Sequence, residues 1–463
     1  MKILLINPSF FEVWGKNRSL ESALPPINLL YLAAIAEKEG HKVKVLDMHA
    51  DNLTFKEAVN ESKKNDLIGI TCVTPTANIA YKLSQNIKEE DSDVNIVVGG
   101  PHPSALPEEP LKTNSIDFVI TGEGESTFSD LIKCLEKGTS PNKVKGIYFK
   151  KGKKISHTPP HHLITNLDSL PFPAYNLINI KKYFYPYQKK RPLSSILTSR
   201  GCPNTCTFCN KNIFGHSFRF RSAENVIKEI LYMIEKYKIK EFLVYDDNFT
   251  VIKKRALEIC QRINDEKLDI SISFENGLRV DKIDYEILKA LKKAGCYLIG
   301  YGIESSDQRV LDSVKKNISM SQIRNAVMLT KKCGIGIVGY FIIGFPSDTE
   351  ATIKSTIKFA KDLSILSKFS ILTPFPGTEL FKMLDKQGLI LTYDWSKYIV
   401  HQEPIFRHPN LSPEKIFELY REAYRTVYSN PKLILQEISS VQSVTHFFRL
   451  MKGGWNLFNE FFK

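Results

Sequence analysis

The chain reads as two successive α/β units, each built on a parallel sheet, followed by a helical tail. Three observations predict this. Over residues 1–150, short apolar runs alternate with segments whose apolar residues recur every three or four positions. The same alternation restarts at residue 193 and continues to 384, after a linker over 151–192. From about Asp385 it stops, and residues 385–463 carry helical patterns alone. A length of 463 residues accommodates such a division.

In the first unit, strands are expected at 2–6, 43–47, 67–71, 94–98 and 117–121, with helices at 27–39, 55–64, 76–90 and 125–136. In a sheet of this kind ligands bind beyond the carboxyl ends of the strands. Turn-forming residues fall at those ends: Ser9 after the first strand, Thr71 and Thr74 after the third, Gly99, Gly100, Pro101 and His102 after the fourth, and Gly122, Glu123 and Gly124 after the fifth. Glycine lets a backbone approach a ligand closely. No G-x-G-x-x-G follows the first strand, which argues against a dinucleotide site.

Residues 144–157 read as a hairpin closed by a basic turn, and 158–192, rich in proline and aromatic residues, as a boundary that packs on something. Six further strands are expected at 194–198, 241–245, 270–274, 297–303, 335–343 and 368–373, with helices at 223–237, 252–266, 282–294, 320–333 and 349–364. That series suits an open, partial (β/α)6 barrel of TIM type, whose chemistry gathers at the carboxyl strand ends. Those ends offer Asp246 and Asp247, Glu275 to Arg279, Glu304 and Ser305, Gly344 to Glu350, and Thr373 to Glu379. Asp, Ser and Thr at such places also make ordinary helix caps. In the tail, 411–428 is a strongly amphipathic helix with Ser412 as cap and Pro413 in its first turn. Phe447, Phe448, Trp455, Phe458, Phe461 and Phe462 then lie among basic residues. They suit the closing of the barrel, the cover of an apolar substrate, or contact with a membrane interface.

The densest chemistry is Thr198-Ser-Arg-Gly-Cys202-Pro-Asn-Thr-Cys206-Thr-Phe-Cys209, directly after a strand. Three cysteines at C-x3-C-x2-C ligate three irons of a 4Fe–4S cube and leave the fourth open. A zinc site asks for a second ligand pair, which is not apparent nearby, although His216 could supply one ligand. Eight cysteines with no secretory signal point to a reducing, cytoplasmic setting rather than to disulfides. Cys72, Cys134, Cys260, Cys296 and Cys333 show no spacing for a second cluster. No apolar run reaches the length of about eighteen residues that spans a membrane. The net charge of +14 suits an anionic partner such as phosphate, nucleic acid or an acidic membrane surface, but a lysine-rich composition alone gives the same excess.

The cysteine loop, with Phe208 before its last cysteine, resembles the signature of the radical S-adenosylmethionine enzymes. Pro25-Pro-Ile-Asn-Leu-Leu-Tyr31, Gly99-Gly-Pro-His102 and Gly122-Glu-Gly-Glu125 give the first unit a resemblance to the Rossmann-like cobalamin-binding domain that precedes the radical domain in one large class of them. Hopanoid methylases and anaerobic magnesium-protoporphyrin ester cyclases are of this class. The resemblance implies a 4Fe–4S cluster on Cys202, Cys206 and Cys209, with S-adenosylmethionine on the open iron and a 5′-deoxyadenosyl radical formed from it. It implies cobalamin at Ser9, Thr71, Thr74, Gly99, Gly100, Pro101, His102, Gly122, Glu123 and Gly124. It further implies S-adenosylmethionine contacts from Phe208, Arg279, Glu304, Ser305, Gly344 and Glu350. The expected reaction is methylation of an unactivated carbon through methylcobalamin. A radical oxidoreductase or cyclase that transfers no methyl group is the alternative; a cobalamin-binding sensor is a third, against which the three cysteines argue. Expected partners are a small, lipid-like substrate and an electron donor such as flavodoxin or ferredoxin; peripheral membrane contact is admitted and no nucleic acid is expected. Cobalamin proteins often carry Asp-x-His-x-x-Gly; here Asp47-Met-His49-Ala-Asp-Asn52 ends in Asn and follows the second strand, so a polar loop at a strand end is the expected reading and His49 is not an expected cobalt ligand.

Overall fold

The computed structural model describes residues 1–9, 22–439 and positions 451, 454, 455, 459 and 461. Residues 1–157 build a seven-stranded sheet in the order β2-β1-β3-β4-β5-β6-β7. Strands β1 (Lys2–Asn7), β2 (Lys42–Asp47), β3 (Leu67–Thr71), β4 (Asn95–Gly99) and β5 (Phe118–Ile120) run parallel. The expected hairpin, β6 (Ile147–Lys151) and β7 (Lys154–His157), extends the sheet antiparallel. Inside the sheet, β1 buries Leu4, Leu5 and Ile6 completely, as a strand covered on both faces must. The edge strands β2 and β7 begin instead with exposed lysines, Lys42 and Lys154, which discourage pairing with another strand. The crossover helices are α1 (Ile27–Lys38), α2 (Phe55–Ser62), α3 (Ala77–Glu90), α4 (Pro101–Ala105) and α5 (Gly124–Glu136).

The barrel sheet has six parallel strands. It begins with β8 (Leu193–Ile196), and a two-residue ribbon, β9 (Ser199–Arg200) with β10 (Arg219–Phe220), follows outside it. Next come β11 (Glu241–Val244), β12 (Ser271–Leu278), β13 (Cys296–Glu304), β14 (Gly336–Ile343) and β15 (Leu366–Ile371), in the order β15-β14-β13-β12-β11-β8. The end strands β8 and β15 do not pair, so the barrel is open. Its helices are α6 (Ala223–Tyr237), α7 (Lys253–Asp265), α8 (Tyr285–Lys293), α9 (Gln308–Ser313), α10 (Met320–Lys332), α11 (Glu350–Leu363) and α12 (Glu379–Lys386). Ser222, Asp284, Asp307, Ser319, Thr349 and Thr378 each accept a first-turn N–H through the side chain, which stops the chain's extended run and starts the helix. Helices α4, α9 and α12 are additions to the expected set; the first two are five and six residues long and carry too little periodicity to read.

The linker packs between the two units. Tyr175 is fully buried and donates from its hydroxyl to Glu229 Oε1 (3.1 Å) on α6, while the Ala174 N–H reaches the Leu30 carbonyl on α1 (3.0 Å). The tail does likewise. Helix α13 (Pro413–Tyr428) covers β15, with the Tyr424 hydroxyl bonded to the Phe369 backbone at 3.2 Å and the Tyr428 hydroxyl to the Ser367 carbonyl at 2.9 Å. Upstream of it, Trp395, Tyr398 and Ile405 join the core of the first unit. The segment expected to be a helical tail therefore straps both units together before α13 and α14 (Pro431–Ser439) begin. Of the helical patterns expected past residue 439, only positions 451, 454, 455, 459 and 461 are described; Phe447, Phe448, Phe458 and Phe462 lie outside the described residues. Phe461 stacks on Tyr424, ring centroids 4.1 Å apart. No described helix is long and apolar enough to cross a membrane.

Candidate functional site

The cysteine loop leaves the barrel through β9 and returns through β10, so the pairing of Arg200 with Arg219 closes its base. Cys202 and Cys206 are half-buried and Cys209 is exposed. Two carboxylates past the end of β11 hold the root of the loop. Asp246 accepts from the Thr198 N–H (2.6 Å), the Thr198 hydroxyl (2.5 Å) and the Ser199 hydroxyl (2.6 Å), and Asp247 accepts from the Gly201 N–H (2.8 Å). Phe208 packs its ring against Phe345 at 5.6 Å, and Thr207 is bonded through its backbone to Val314 and Leu380. Among the described residues no three His, Cys, Asp or Glu side chains converge as a single ion requires. A cube asks for one thiolate on each of three irons, which thiols spread along one loop supply.

Gly201 takes φ +84°, and a Cβ there would stand 2.3 Å from the Ser217 carbonyl oxygen. Only glycine lets the two ends of the loop approach this closely. Gly201→Ala is therefore expected to retain the fold by circular dichroism but to lose most of its iron after anaerobic reconstitution. Full iron retention would show that the loop adapts.

The carboxyl edge of the first sheet faces this loop. A Cβ on Gly122 would lie 3.8 Å from the Asn212 carbonyl oxygen, and one on Gly377, past β15, 2.8 Å from Ala105 Cβ. Between these contacts runs a buried ionic network. Glu123 binds Arg200 Nη1 (3.1 Å), Arg219 Nη1 (2.7 Å) and the Ile164 N–H (2.8 Å), and Glu125 binds Arg200 Nη2 (2.5 Å). All four side chains are at least nine-tenths buried. The Arg200 guanidinium also lies over the rings of Tyr31 and Phe214. Glu123 is thus held by two arginines of the barrel unit.

His102 is likewise engaged within the protein. It is fully buried, with Nδ1 3.3 Å from Thr74 Oγ1, Nε2 3.3 Å from Glu109 and its ring 5.1 Å from that of Trp395. Thr74 is occupied by that contact, and Thr71 accepts from Asn28 Nδ2 (2.8 Å). Ser9 is buried. What this edge presents is backbone: Gly99, Gly100, Pro101 and Gly122 are half-buried, and Gly124 opens α5 against Leu32. Gly100 has φ +109°, and a Cβ on it would stand 2.8 Å from the Cys72 carbonyl. A flat cofactor against this edge would meet peptide groups and glycine rather than side chains. Asp47 accepts from Asn7, from the backbone of His49 and Ala50 and from the Tyr183 hydroxyl, a polar turn at the end of β2, as expected.

On the barrel side, Glu304 is buried at φ +65° beside a register shift of β13, a conformation that costs energy for a residue with a side chain. Its Oε1 accepts from Lys316 Nζ at 2.6 Å, and that ammonium lies 5.8 Å from the Phe208 ring, next to the cysteine loop. Ser305 is buried and accepts from the Asp307 N–H. Arg279 is held by Asp281 (2.8 Å) and by the carbonyls of Lys316 and Asn317, so its guanidinium braces the loop that carries Lys316. Glu350, at the surface start of α11, pairs with Lys354 (2.7 Å) and Lys415 (3.2 Å). Gly344, at φ +91°, opens a turn clamped by Asp348, inside the stretch named from sequence, and by His408, which the sequence reading passed over. Asp348 accepts from the Gly344 and Phe345 N–H groups and the Thr352 hydroxyl. His408 takes N–H bonds from Asn410 and Leu411 on Nδ1, so Nε2 carries the proton and donates to the Phe345 carbonyl (2.7 Å).

Burial pushes the Asp348 carboxyl up to about 6, against its three hydrogen bonds. A carboxyl raised on folding takes up a proton more readily in the folded chain. Its contribution to stability therefore grows as pH falls from about 6 towards 4 and is absent above. Asp348→Asn, which keeps an acceptor for the two N–H groups, is expected to remove that part of the pH dependence, read as the urea midpoint at pH 4.5 and 7.5. An unchanged difference between the two pH values would contradict the assignment.

Comparison with known proteins places both halves. Residues 16–132 match the B12 binding domain and residues 196–360 the radical SAM superfamily. An uncharacterized methyltransferase of Pyrococcus horikoshii is 38% identical over 443 residues, which is 95% of each chain. The anaerobic magnesium-protoporphyrin IX monomethyl ester cyclase of Rubrivivax gelatinosus is 28% identical over 94% of this chain and 79% of its own. Among solved structures, the radical S-adenosylmethionine methyltransferase TsrM of Kitasatospora setae, with cobalamin and a 4Fe–4S cluster bound, shares the fold with TM-score 0.72 at 16% identity, over 99% of this chain and 98% of that one.

Proposed function

Because this chain belongs to the cobalamin-dependent radical S-adenosylmethionine enzymes, we propose that it methylates an unactivated carbon of a small molecule. One observation carries the reading: the carboxyl edges of the two parallel sheets face each other, in contact at Gly122 with Asn212 and at Ala105 with Gly377. A group on one edge is within reach of a group on the other. When bound, the cluster with S-adenosylmethionine supplies a carbon radical and cobalamin a transferable methyl group; the protein aligns them.

Cys202, Cys206 and Cys209 would each hold one iron, and Asp246 and Asp247 fix the loop that presents them. Glu304 with Lys316 stands beside the loop, fit for the polar end of S-adenosylmethionine, while the Gly344 turn, clamped by Asp348 and His408, forms the neighbouring wall. Gly99, Gly100, Pro101 and Gly122 offer backbone to the corrin face. The linker and the strap over 390–406 close the sides and keep water from a radical. The reaction needs a one-electron donor of flavodoxin or ferredoxin type, and a chain of net charge +14 suits an acidic carrier. The eight free cysteines suit the reducing cytoplasm. A lipid-like substrate and membrane contact depend on the aromatics at 447–462, where Trp455 is 62% exposed and Phe461 is buried on Tyr424.

The test is product analysis of reconstituted enzyme with reductant, S-adenosylmethionine and a metabolite extract. Equal amounts of 5′-deoxyadenosine and S-adenosylhomocysteine are expected. Deoxyadenosine without S-adenosylhomocysteine would replace methyl transfer by the oxidoreductase or cyclase reading.

A further inference from the structure

The concave face of the barrel sheet carries polar side chains that the cofactor reading leaves unused. Glu275 lies on β12 and Lys368 on β15, with two strands between them. Their side chains still approach to 3.7 Å, Nζ to Oε2. Residues so far apart in a sheet meet only across its concave side, so both point into the barrel. The Glu275 side chain is 10% exposed, and its other oxygen, Oε1, has no hydrogen-bond partner among the described residues. The Tyr185 hydroxyl, in a residue 5% exposed, also has none. Tyr185 is in the same cluster: the Lys368 ammonium lies 5.9 Å from its ring centroid, 5.1 Å from that of Tyr187 and 5.9 Å from that of Tyr340.

The cluster sits just below the cysteine loop. Asn276, next to Glu275, donates to the Asp246 carbonyl at 2.9 Å, and the Asp246 carboxylate holds Thr198 and Ser199 at the root of the loop. The lumen is reachable, since Tyr245 on the neighbouring strand end is 37% exposed and the Lys368 side chain 36%. A buried acceptor left unpaired costs about 1–3 kcal/mol, and more when charged, which is why native chains rarely leave one. Two unpaired polar atoms in one open-barrel cluster mark a place completed by a ligand. Burial pushes the Glu275 carboxyl up and Lys368 only partly opposes this, as for a group still short of a donor.

We propose that Glu275 and Tyr185, walled by Tyr187 and Tyr340, form a substrate subsite in the barrel lumen that takes the ammonium or N–H donor of a ring-bearing amine. The subsite deepens, and rests on, the reading of the barrel as the place where the substrate is methylated. The carboxylate oxygen accepts from the nitrogen, the Tyr185 hydroxyl bonds a second polar atom beside it, and the tyrosine rings, which already carry the Lys368 ammonium, favour a flat partner. An anion would meet the unpaired carboxylate oxygen and is disfavoured. The subsite therefore asks for a polar, nitrogen-bearing head, which a hydrocarbon lipid lacks.

The test uses the full-length, reconstituted enzyme and three probes of one shape: benzylamine, benzyl alcohol and benzoate. Their affinities are read by ligand-observed saturation-transfer NMR. Benzylamine is expected to bind best and benzoate worst. Glu275→Gln should weaken benzylamine by about tenfold, the loss of one hydrogen bond to a charged group. Equal binding of the three probes, undiminished binding in Glu275→Gln, or displacement of benzylamine by S-adenosylmethionine would overturn the proposal. This binding is read without turnover, so its failure is distinct from failure of the methylation reading, which is decided by S-adenosylhomocysteine.

Discussion

Arg200→Met is expected to destabilise the chain by about 3–5 kcal/mol, the cost of removing one partner from a buried ion pair. The reason lies in what is left behind. Glu125 pairs with Arg200 through the shortest contact of the network, and Glu123 would keep only Arg219 and the Ile164 N–H. Both carboxylates stay out of water, because linker and barrel cover them. Adding Glu125→Gln to Arg200→Met removes the stranded charge and should recover part of the loss, and a double-mutant cycle separates the pair from the single effects. Urea unfolding of the apoprotein reads all four chains. A loss below about 1 kcal/mol, typical of an exposed ion pair, would mean that the two units part easily and water reaches the network. The site depends on this network, because Arg200 stands two residues before Cys202 and Glu123 lies beside Gly122 at the opposite edge.

Cys202→Ala, Cys206→Ala or Cys209→Ala is expected to abolish formation of 5′-deoxyadenosine. With two thiols the loop cannot hold the cube, and no other cysteine is near in sequence to replace the third. Cys260→Ala serves as the control, since that residue is buried in the core behind the barrel. One step outward the effect should be graded. Asp246→Ala removes the acceptor for three donors at the root of the loop and is expected to lower iron retention or turnover by about 10–100-fold, as loss of a group that orients metal ligands does. Iron per chain and deoxyadenosine formed separate the two classes of variant. Wild-type deoxyadenosine formation in any of the three cysteine variants would remove the loop from the chemistry.

Much of this architecture was legible because its signals are local. Parallel strands buried on both faces are continuous apolar runs, as in Lys2–Asn7, and amphipathic crossovers such as Ala223–Tyr237 repeat at helical spacing. The cysteines declare themselves by spacing. Long-range pairing left no such trace. Glu123 and His102 occupy positions where a cofactor contact was expected, yet which side chain reaches a ligand depends on partners far away in sequence: Arg200 and Arg219 for the one, Trp395 for the other. Glu350 is a good cap-region residue by sequence, and only the fold shows Lys415 arriving beside it. His408 could not be read as a clamp on the Phe345 turn, since the irregular stretch between the strap and α13 that carries it has no periodicity. Lys316 follows the same logic; nothing in its neighbours announces the buried Glu304 that it neutralises.

The central claim is that one chain holds a single iron–sulfur cluster and a cobalamin on facing edges. The most direct measurement is anaerobic reconstitution with iron, sulfide and hydroxocobalamin, followed by desalting and assay of iron and cobalamin per chain. About four irons, one cube on three thiolates, together with one cobalamin are expected. About four irons with no retained cobalamin would leave the radical half standing and contradict the claim that the glycine-lined edge facing it is a cofactor site.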